Sequence, residues 1–211
     1  MPDTLPPSTP PAFTPPAFTP ALAGLLARAS VPSRLLRDPG PDDAAIGAAV
    51  AAALRAPDHG GLRPWRFVVV RGAARAALGD VLAASLARRA PDSSPDRLEL
   101  ERMKPLRAPV VIVAGAVLRP HQAVPVWEQE ACAAAGTMNL MNALDAQGFG
   151  AIWLSSPALR DDAVKAALGF AAGDALLGWI HAGTPVADRP RPARPDADAF
   201  WREWKAGEGP A

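Results

Sequence analysis

The sequence predicts an α+β sandwich in which one sheet of about four strands carries helices on both faces. Strand and helix patterns follow one another along the chain without strict alternation, which is typical of the α+β class. The stretch "APVVIVAGAVL" at 108–118 contains only apolar residues and glycine, which indicates a strand buried on both faces. Such a strand requires covering layers above and below the sheet.

The first part of the globular sequence predicts three helices and one strand. "ALAGLLARA" is a short helical pattern that ends near Ser30, because Pro32 blocks its continuation. "PDDAAIGAAVAAALRA" begins with a proline and two aspartates, which suit a helix N-terminus. Its predicted buried stripe has four-residue spacing and consists of Ile46, Val50 and Leu54. "RFVVVRG" at 66–72 predicts a strand, and "AARAALGDVLAASLARRA" predicts a helix that ends at Pro91.

The second part of the chain predicts the longest helix and most of the strands. "PDRLELERMKPLR" suggests a short charged helix before the strand at 108–118. "VWEQEACAAAGTMNLMNALDAQG" is the longest helical pattern, and Gly148 is its expected C-cap. Apolar residues on more than one face of this helix predict that it is covered on most sides, by a second subunit or by the core of one chain. "GAIWLSS" and "LLGWIHAGTP" predict two further strands, with a short helix near 160–168 between them.

The two ends of the chain differ from the middle. Residues 1–20 contain the tandem repeat "PPAFTPPAFTP", which predicts a disordered, extended, proline-rich tail; a docking motif for a proline-recognition domain is the alternative. The remaining residues, 21–211, are expected to form one domain. Near the C-terminus, "DADAFWREWKAG" contains Phe200, Trp201 and Trp204, which are too apolar to stay in solvent. We expect this segment to pack on the body of the domain or on a partner subunit.

Composition and missing motifs exclude several classes of function. With 22 basic and 21 acidic residues, the net charge of +1 argues against a broad basic face for nucleic acid. A single cysteine, Cys132, excludes an internal disulfide and a cysteine-based metal cluster. The sequence contains no Gly-x-Ser-x-Gly elbow of the hydrolases and no Walker loop. It also contains no Rossmann glycine motif and no metal-binding histidine pair. No apolar run is long enough to span a bilayer, so a cytoplasmic protein without a metal is expected.

Three loops contain residues suited to an anionic or planar ligand. Arg28, Ser30, Ser33 and Arg34 cluster where the first helix ends, and such donors suit a phosphate; arginines that offset the helix dipole are the alternative. Arg55 and His59 flank a turn containing Pro57, Gly60 and Gly61, and both side chains require solvent or a partner. In "GFGAIWLSS", the glycines allow a flat ring to lie against the backbone, although a helix cap before a buried strand explains Gly148 equally well.

Five segments together resemble the flavin-dependent nitroreductases, most closely the compact YdjA-type NAD(P)H nitroreductases. They are "RAPDH" followed by "RPWRFVVV" (55–70), "RAPVVIV" (107–113), "VPVWEQE" (124–130), "AQGFGAIWLSS" (146–156) and "GWIHAGTP" (178–185). The resemblance covers residues 22–186. It implies a three-layer sandwich with a mixed central sheet of four to five strands and with FMN bound at the interface of a homodimer.

The resemblance also implies which residues hold FMN. The loop after the first helix holds the phosphate in this family, so Arg28 and Ser30 carry over, while Ala29 stands where relatives have a basic residue. The loop is one residue longer here, with Ser33 before Arg34. The resemblance assigns the other flavin contacts to two further pieces: Arg55 with His59, and Trp153, Leu154 and Ser155.

One departure concerns the flavin ring, and one further segment is assigned to the nicotinamide. Leu154 stands where close relatives have arginine, which leaves the ring environment less positive. We take Arg55 as the candidate cation for the reduced ring. The resemblance assigns binding of the nicotinamide cofactor to one run of six residues: Ala143, Leu144, Asp145, Ala146, Gln147 and Gly148.

The implied activity is transfer of a hydride from NAD(P)H to flavin N5 and then to a nitroaromatic, a quinone or a similar acceptor, in two half-reactions. The flavin carries out this chemistry, so no side chain is assigned as acid or base. One alternative is another flavin reaction such as reductive dehalogenation, which the short 91–105 segment disfavours because it leaves little length for a lid. The other alternative is a non-catalytic FMN-binding or interaction protein.

Overall fold

A computed structural model describes residues 19–186 and 193–207, which contain six α-helices and five β-strands. The helices are α1 (Pro20–Ala27), α2 (Asp43–Ala53), α3 (Ala74–Arg89), α4 (Pro95–Arg102), α5 (Val126–Ala146) and α6 (Asp162–Ala167). The strands are β1 (Leu36–Arg37), β2 (Trp65–Arg71), β3 (Val110–Ala116), β4 (Gly150–Leu154) and β5 (Ala175–Pro185). Every predicted helix and strand is confirmed, and β1 is an addition. The predicted tail, apart from Thr19 and Pro20, lies outside the described residues.

Polar residues at their N-termini begin several of these helices. Asp42 accepts a hydrogen bond from the backbone N–H of Ala45 at 2.8 Å, and Asp43 lies in the first turn of α2. Ser94 caps α4 in the same way. At the other end of α5, Gly148 adopts φ +89°, a left-handed conformation that glycine adopts without strain. The predicted start of α2 and the predicted glycine end of α5 are therefore confirmed.

The sheet is organised around β5. On one edge, β3 pairs with β5 from Val110↔Ala182 onward, and β2 pairs with the far side of β3. On the other edge, β4 pairs with β5 over Gly150↔Gly183 to Leu154↔Trp179, while β1 pairs with the C-terminal end of β5. All these pairs are antiparallel, so the expected mixed sheet is corrected for the described strands. Strand β4 runs in the same direction as β3, because the chain returns through α5 between them. The two strands do not pair with each other, because β5 lies between them.

Helices cover both faces of the sheet, which gives the predicted sandwich. Alternate residues of β3 enter two separate cores because successive strand side chains point to opposite faces. Ile112 packs with α2 and α5, while Val111 and Val113 pack with α3 and α6. All seven residues of β3 are buried, which confirms the prediction from its apolar run. Removing a large side chain from such a site costs about 2–5 kcal/mol.

In this single chain, α5 is buried along one stripe only. The buried positions recur every three or four residues: Gln129, Cys132, Ala133, Gly136, Thr137, Leu140, Met141 and Leu144. At Gly136 an added methyl group would lie 2.5 Å from the Trp65 ring, so glycine permits the close approach of α5 to the sheet. Ala131 and Ala135 are exposed on the remaining surface of the helix. The expected covering on most sides therefore requires something outside one chain.

The structure also bears on the expectations for Leu54 and for the C-terminal aromatic segment. Leu54 was expected in the buried stripe of α2, but it is 51% exposed because the helix ends at Ala53. The aromatic side chains of the C-terminal segment are exposed by 69–74% at Phe200, Trp201 and Trp204, so they do not pack on the body of this chain. Among the described residues, none of the helices has the length and apolar character needed to cross a membrane.

Candidate functional site

The Arg28–Ser30 loop follows directly from the end of α1. Arg28 is half-buried, Ser30 is exposed, and Ala29 is only 5% exposed, so the side chain of Ala29 faces the protein. The backbone N–H of Val31 donates a hydrogen bond to the carbonyl of Ala151 at 3.0 Å. This bond ties the loop to β4, the strand that also carries Trp153. The loop therefore offers one guanidinium and one hydroxyl to a ligand, and Ala29 offers only its backbone.

Arg28 and Arg55 line one cleft, which we call the arginine cleft. It lies between α1, the C-terminal end of α2 and the C-terminal half of α5, and has a volume of about 500 Å³. Asn139 and Asn142 also line it, and the Asn142 side-chain oxygen is buried without a hydrogen-bond partner. Within residues 19–186 and 193–207, neither arginine side chain has an ion pair or a hydrogen bond. The structure thus brings together two of the predicted phosphate and flavin contacts.

His59 lies in a different concavity from Arg55. The turn after α2 uses Gly60 and Gly61 in left-handed conformations, at φ +73° and +65°, and Asp58 accepts from the N–H groups of the two residues that follow them. This turn directs His59 toward the N-terminal half of α5, where its Nδ1 lies 2.8 Å from Glu128 Oε1. Within one chain, Arg55 and His59 lie beside opposite halves of α5 and line different concavities. That the two side chains face one ligand stays a prediction.

Cys132 lines the same concavity as His59. Burial, together with the negative charge of Asp58, raises the pKa of its thiol to about 11. Its carbonyl accepts a hydrogen bond from Trp65 Nε1 at 3.2 Å, which satisfies the buried indole. Trp65 is thus a core residue, and the protonated thiol beside it is unsuited to nucleophilic chemistry.

Trp153 and Leu154 point to opposite faces of the sheet. Trp153 packs toward α2 and α5, and its Nε1 donates to the Leu177 carbonyl at 3.0 Å. Gly178 permits this packing, because a methyl group there would overlap the Trp153 ring. Leu154 and Ser155 line a cavity of about 250 Å³ on the α3 side of the sheet. We call it the His181 cavity; its polar lining consists of Glu101, Lys104, Arg107, Ser155, Ser156 and His181.

His181 and Glu101 are the buried titratable groups that line that cavity. His181 is 4% exposed, and its Nδ1 is buried without a hydrogen-bond partner. Burial, together with the positive charge of Arg107, lowers the pKa of the imidazole to about 4. His181 is therefore neutral at pH 7, with one N–H donor and one acceptor nitrogen. The sequence analysis missed His181 and Arg107, although a single ionisable residue within the apolar strand pattern "GWIHAG" is a signal for a site.

The segment predicted for the nicotinamide cofactor has a mixed environment. Ala143, Asp145 and Ala146 line the arginine cleft, whereas Leu144 is fully buried in the core beneath α5. Gln147 uses its side-chain amide to donate to the Ala45 carbonyl at 3.2 Å, which joins α5 to α2. Only part of the segment is thus accessible to a ligand from the cleft.

Comparison with known proteins gives consistent matches. A model of the nitroreductase family matches residues 25–184 of this chain. The protein named "Putative NAD(P)H nitroreductase YdjA" from Escherichia coli is 36% identical over 150 residues, which are 71% of this chain and 81% of that protein. A "Putative NAD(P)H nitroreductase" from Haemophilus influenzae is 32% identical over 175 residues, covering 82% of this chain and 93% of its own.

Solved structures share the fold. A nitroreductase-like family protein from Bacillus cereus superposes with a TM-score of 0.72 at 21% identity and covers 92% of this chain and 100% of its own. A nitroreductase with bound FMN from Bacteroides fragilis superposes with a TM-score of 0.66 at 17% identity, over 89% of this chain and 100% of its own. The predicted α+β architecture is confirmed by these superpositions.

Proposed function

Because this chain belongs to the nitroreductase family, we propose that it binds FMN and passes electrons from NAD(P)H to a nitroaromatic, a quinone or a similar acceptor. When bound, FMN supplies the redox chemistry, accepting a hydride from the nicotinamide and passing electrons to the acceptor. The protein's own residues contribute binding, orientation and electrostatics. The observation that supports the proposal most directly is that Arg28 and Arg55 line one cleft and have no ion-pair partner within residues 19–186 and 193–207.

The residues present fit an FMN phosphate. A phosphate monoester carries close to two negative charges at pH 7, and paired guanidiniums are its preferred partners. Neither Arg28 nor Arg55 forms an ion pair with another described residue, although Asp145 also lines the cleft. Ser30, two residues after Arg28, adds an exposed hydroxyl to the same loop. The replacement of a basic residue by Ala29 removes one charge, which Arg55 can restore. We infer that this cleft is the anion-binding end of the site.

We also propose that the site is completed in a homodimer. The other inferred flavin contacts, His59 and Ser155, line two concavities apart from the arginine cleft. The exposed surface of α5 contains small residues, Ala131 and Ala135, which allow a second helix to approach closely. A second copy packed on this surface would bring its own His59 turn toward the first chain. Dimer formation would also cover the apolar residues that one chain leaves exposed on α5.

The roles of the side chains follow from their chemistry. Arg28, Ser30 and Arg55 bind the phosphate. Trp153 fixes the end of β4 through its bond to Leu177, which positions the backbone of Ser155 against the ring. The accessible part of the 143–148 segment is the proposed contact for the nicotinamide cofactor. No side chain is required as a general acid or base.

A non-catalytic FMN-binding protein is the second candidate. Leu154 favours it, because this apolar residue stands where close relatives have an arginine. One preparation distinguishes the candidates. Yellow protein with one FMN per chain, identified by chromatography, supports the site; oxidation of NADH or NADPH that depends on an added quinone or nitroaromatic supports the enzyme. Yellow protein without such oxidation supports the binding protein, and colourless protein that takes up no added FMN contradicts both.

A further inference from the structure

One buried side chain holds the loop between β3 and α5. Gln129 lies in the first turn of α5 and is only 2% exposed. Its Nε2 donates to the Arg119 carbonyl at 2.8 Å and to the Val124 carbonyl at 3.2 Å, while its Oε1 accepts from the backbone N–H of Arg119 at 3.0 Å. All three bonds reach residues 119–124, which we call the clamped loop.

A second side chain fixes the middle of the clamped loop. The Nδ1 of His121 accepts from the backbone N–H groups of Ala123 at 3.2 Å and Val124 at 3.1 Å. Backbone groups of a loop require such partners wherever helix or sheet bonding does not supply them. Val124 is thus bonded at its N–H by His121 and at its carbonyl by Gln129, which fixes its position.

The clamped loop packs on the turn that carries His59. Val124 is 3% exposed, and a methyl group added to Gly60 would lie 3.3 Å from its Cγ2 and 3.9 Å from His121 Cε1. Gly60 directly follows His59 in the chain. Val124, Gln129 and His59 also line the same concavity. The loop therefore supports the backbone next to the imidazole.

We propose that Gln129 is a positioning residue for His59: by holding the clamped loop against Gly60, it fixes the turn that presents the imidazole to FMN. This inference rests on the proposed function of the chain as an FMN protein. The roles of the two neighbours on α5 differ, because Glu128 orients the imidazole ring and Gln129 holds its backbone. Without the clamp, the turn must be ordered at the moment of binding, and that cost lowers affinity.

The experiment is a double-mutant cycle on the full-length chain, with FMN affinity measured by quenching of flavin fluorescence. Gln129→Leu is expected to weaken FMN binding about tenfold when His59 is present and less than about twofold in the His59→Ala background. The loss depends on His59 because Gln129 acts through it. A purely structural role would instead lower the affinity by the same factor in both backgrounds.

Two further variants separate the clamp from general stability. Val124→Ala keeps every bond of Gln129, since these bonds go to the backbone, and removes the contact with Gly60. It is expected to weaken FMN binding with the same dependence on His59. Thr137→Val is the matched control: Thr137 is also buried on α5 and donates to the Ala133 carbonyl, but it does not line the His59 concavity. It is expected to leave the affinity unchanged.

Hydrogen exchange of the FMN-free chain tests the contact itself. Gln129→Leu is expected to speed exchange both in the clamped loop and in the turn at 58–63, because the two segments support each other. Thr137→Val is expected to change neither segment. Faster exchange of the loop alone, with the turn as protected as in the wild type, would contradict the link between them.

The outcomes separate the two levels of the proposal. Wild-type protein that binds no FMN overturns the proposed function and this inference with it. Wild-type protein that binds FMN, together with Gln129 and Val124 variants that match its affinity or lose the same factor with and without His59, overturns only this inference.

Discussion

His59 Nδ1 and Glu128 Oε1 lie 2.8 Å apart and join the turn after α2 to the first turn of α5. The His59 side chain is 58% exposed and that of Glu128 is 32% exposed, so the pair contributes little to stability. Its effect is to hold the imidazole in one orientation. If a second copy presents His59 to the flavin, Glu128 determines how the ring is presented.

Glu128→Ala should therefore reduce FMN affinity several-fold and change the free energy of unfolding by less than about 1 kcal/mol. Affinity is measured by quenching of flavin fluorescence, and stability by urea unfolding. Glu130→Ala, two residues further along α5, serves as the control. Equal FMN affinities for wild type and Glu128→Ala would show that the pair has no role in presenting His59.

Arg28→Ala and Arg55→Ala should each weaken FMN binding at least tenfold, because each removes a charged partner of the phosphate. Riboflavin, which lacks the phosphate, provides the internal comparison. Its affinity should be unchanged in both variants. If Arg55→Ala lowers the potential of bound FMN as well, Arg55 acts on the ring, as the sequence alone suggested.

Gly136→Ala should destabilise the protein by about 1–3 kcal/mol, because the added methyl group meets the buried Trp65 ring at 2.5 Å. Gly47→Ala is the matched control within a helix. Nothing lies within 4 Å of a methyl group at Gly47, so that substitution should stabilise α2 by about 0.5–1 kcal/mol. Urea unfolding measures both, and similar values for the two variants would contradict the close packing of α5.

Stability should fall as the pH is lowered from about 6.5 to about 4, because of His181. Burial lowers the pKa of the folded imidazole from 6.5 to about 4. Between these values the unfolded chain binds a proton that the folded chain does not, which favours unfolding. The loss approaches about 3 kcal/mol at the lower end. Unfolding free energies of wild type and His181→Leu across this range isolate the contribution, and parallel curves would assign the pH dependence to other groups.

Substituting Phe200, Trp201 and Trp204 together by serine should weaken self-association. These three side chains are 69–74% exposed in one chain, and burying each in an interface stabilises it by about 1.5–3 kcal/mol. Sedimentation velocity across a dilution series measures the effect. A variant that dimerises as strongly as the wild type would place the segment outside the interface.

The strands and helices were predictable because their patterns are local. The apolar run of β3 predicts a strand, and the apolar and small residues of α5 predict a helix, wherever these segments lie in the fold. The two residues of β1 carry no such pattern, and only pairing with Pro185 and Thr184 makes them a strand. The site was predictable in part. The sequence identifies Arg28 and Arg55 as unpaired cations, but it does not show that the Pro57–Gly61 turn directs His59 away from them.

His181 and Arg107 show what tertiary structure adds. They are separated by 74 positions in the chain and share one cavity only because β5 pairs along β3. No periodicity in the sequence expresses this relationship. By contrast, Leu54 was misassigned by periodicity itself, because the pattern continues one residue beyond the end of α2.

The central place of β5 also bears on how the chain folds as it leaves the ribosome. This last strand pairs with β1, β3 and β4. Until it is synthesised, β1 and β4 have no partner among the described strands, and β3 is paired on one edge only. Pairing between distant segments is slow because the loop must close first. The hairpin-like pair of β2 and β3 can form early, whereas β4 emerges with nothing to pair with. Nascent chains halted before residue 175 should therefore depend on chaperones, which bind the exposed strand edges of incomplete sheets.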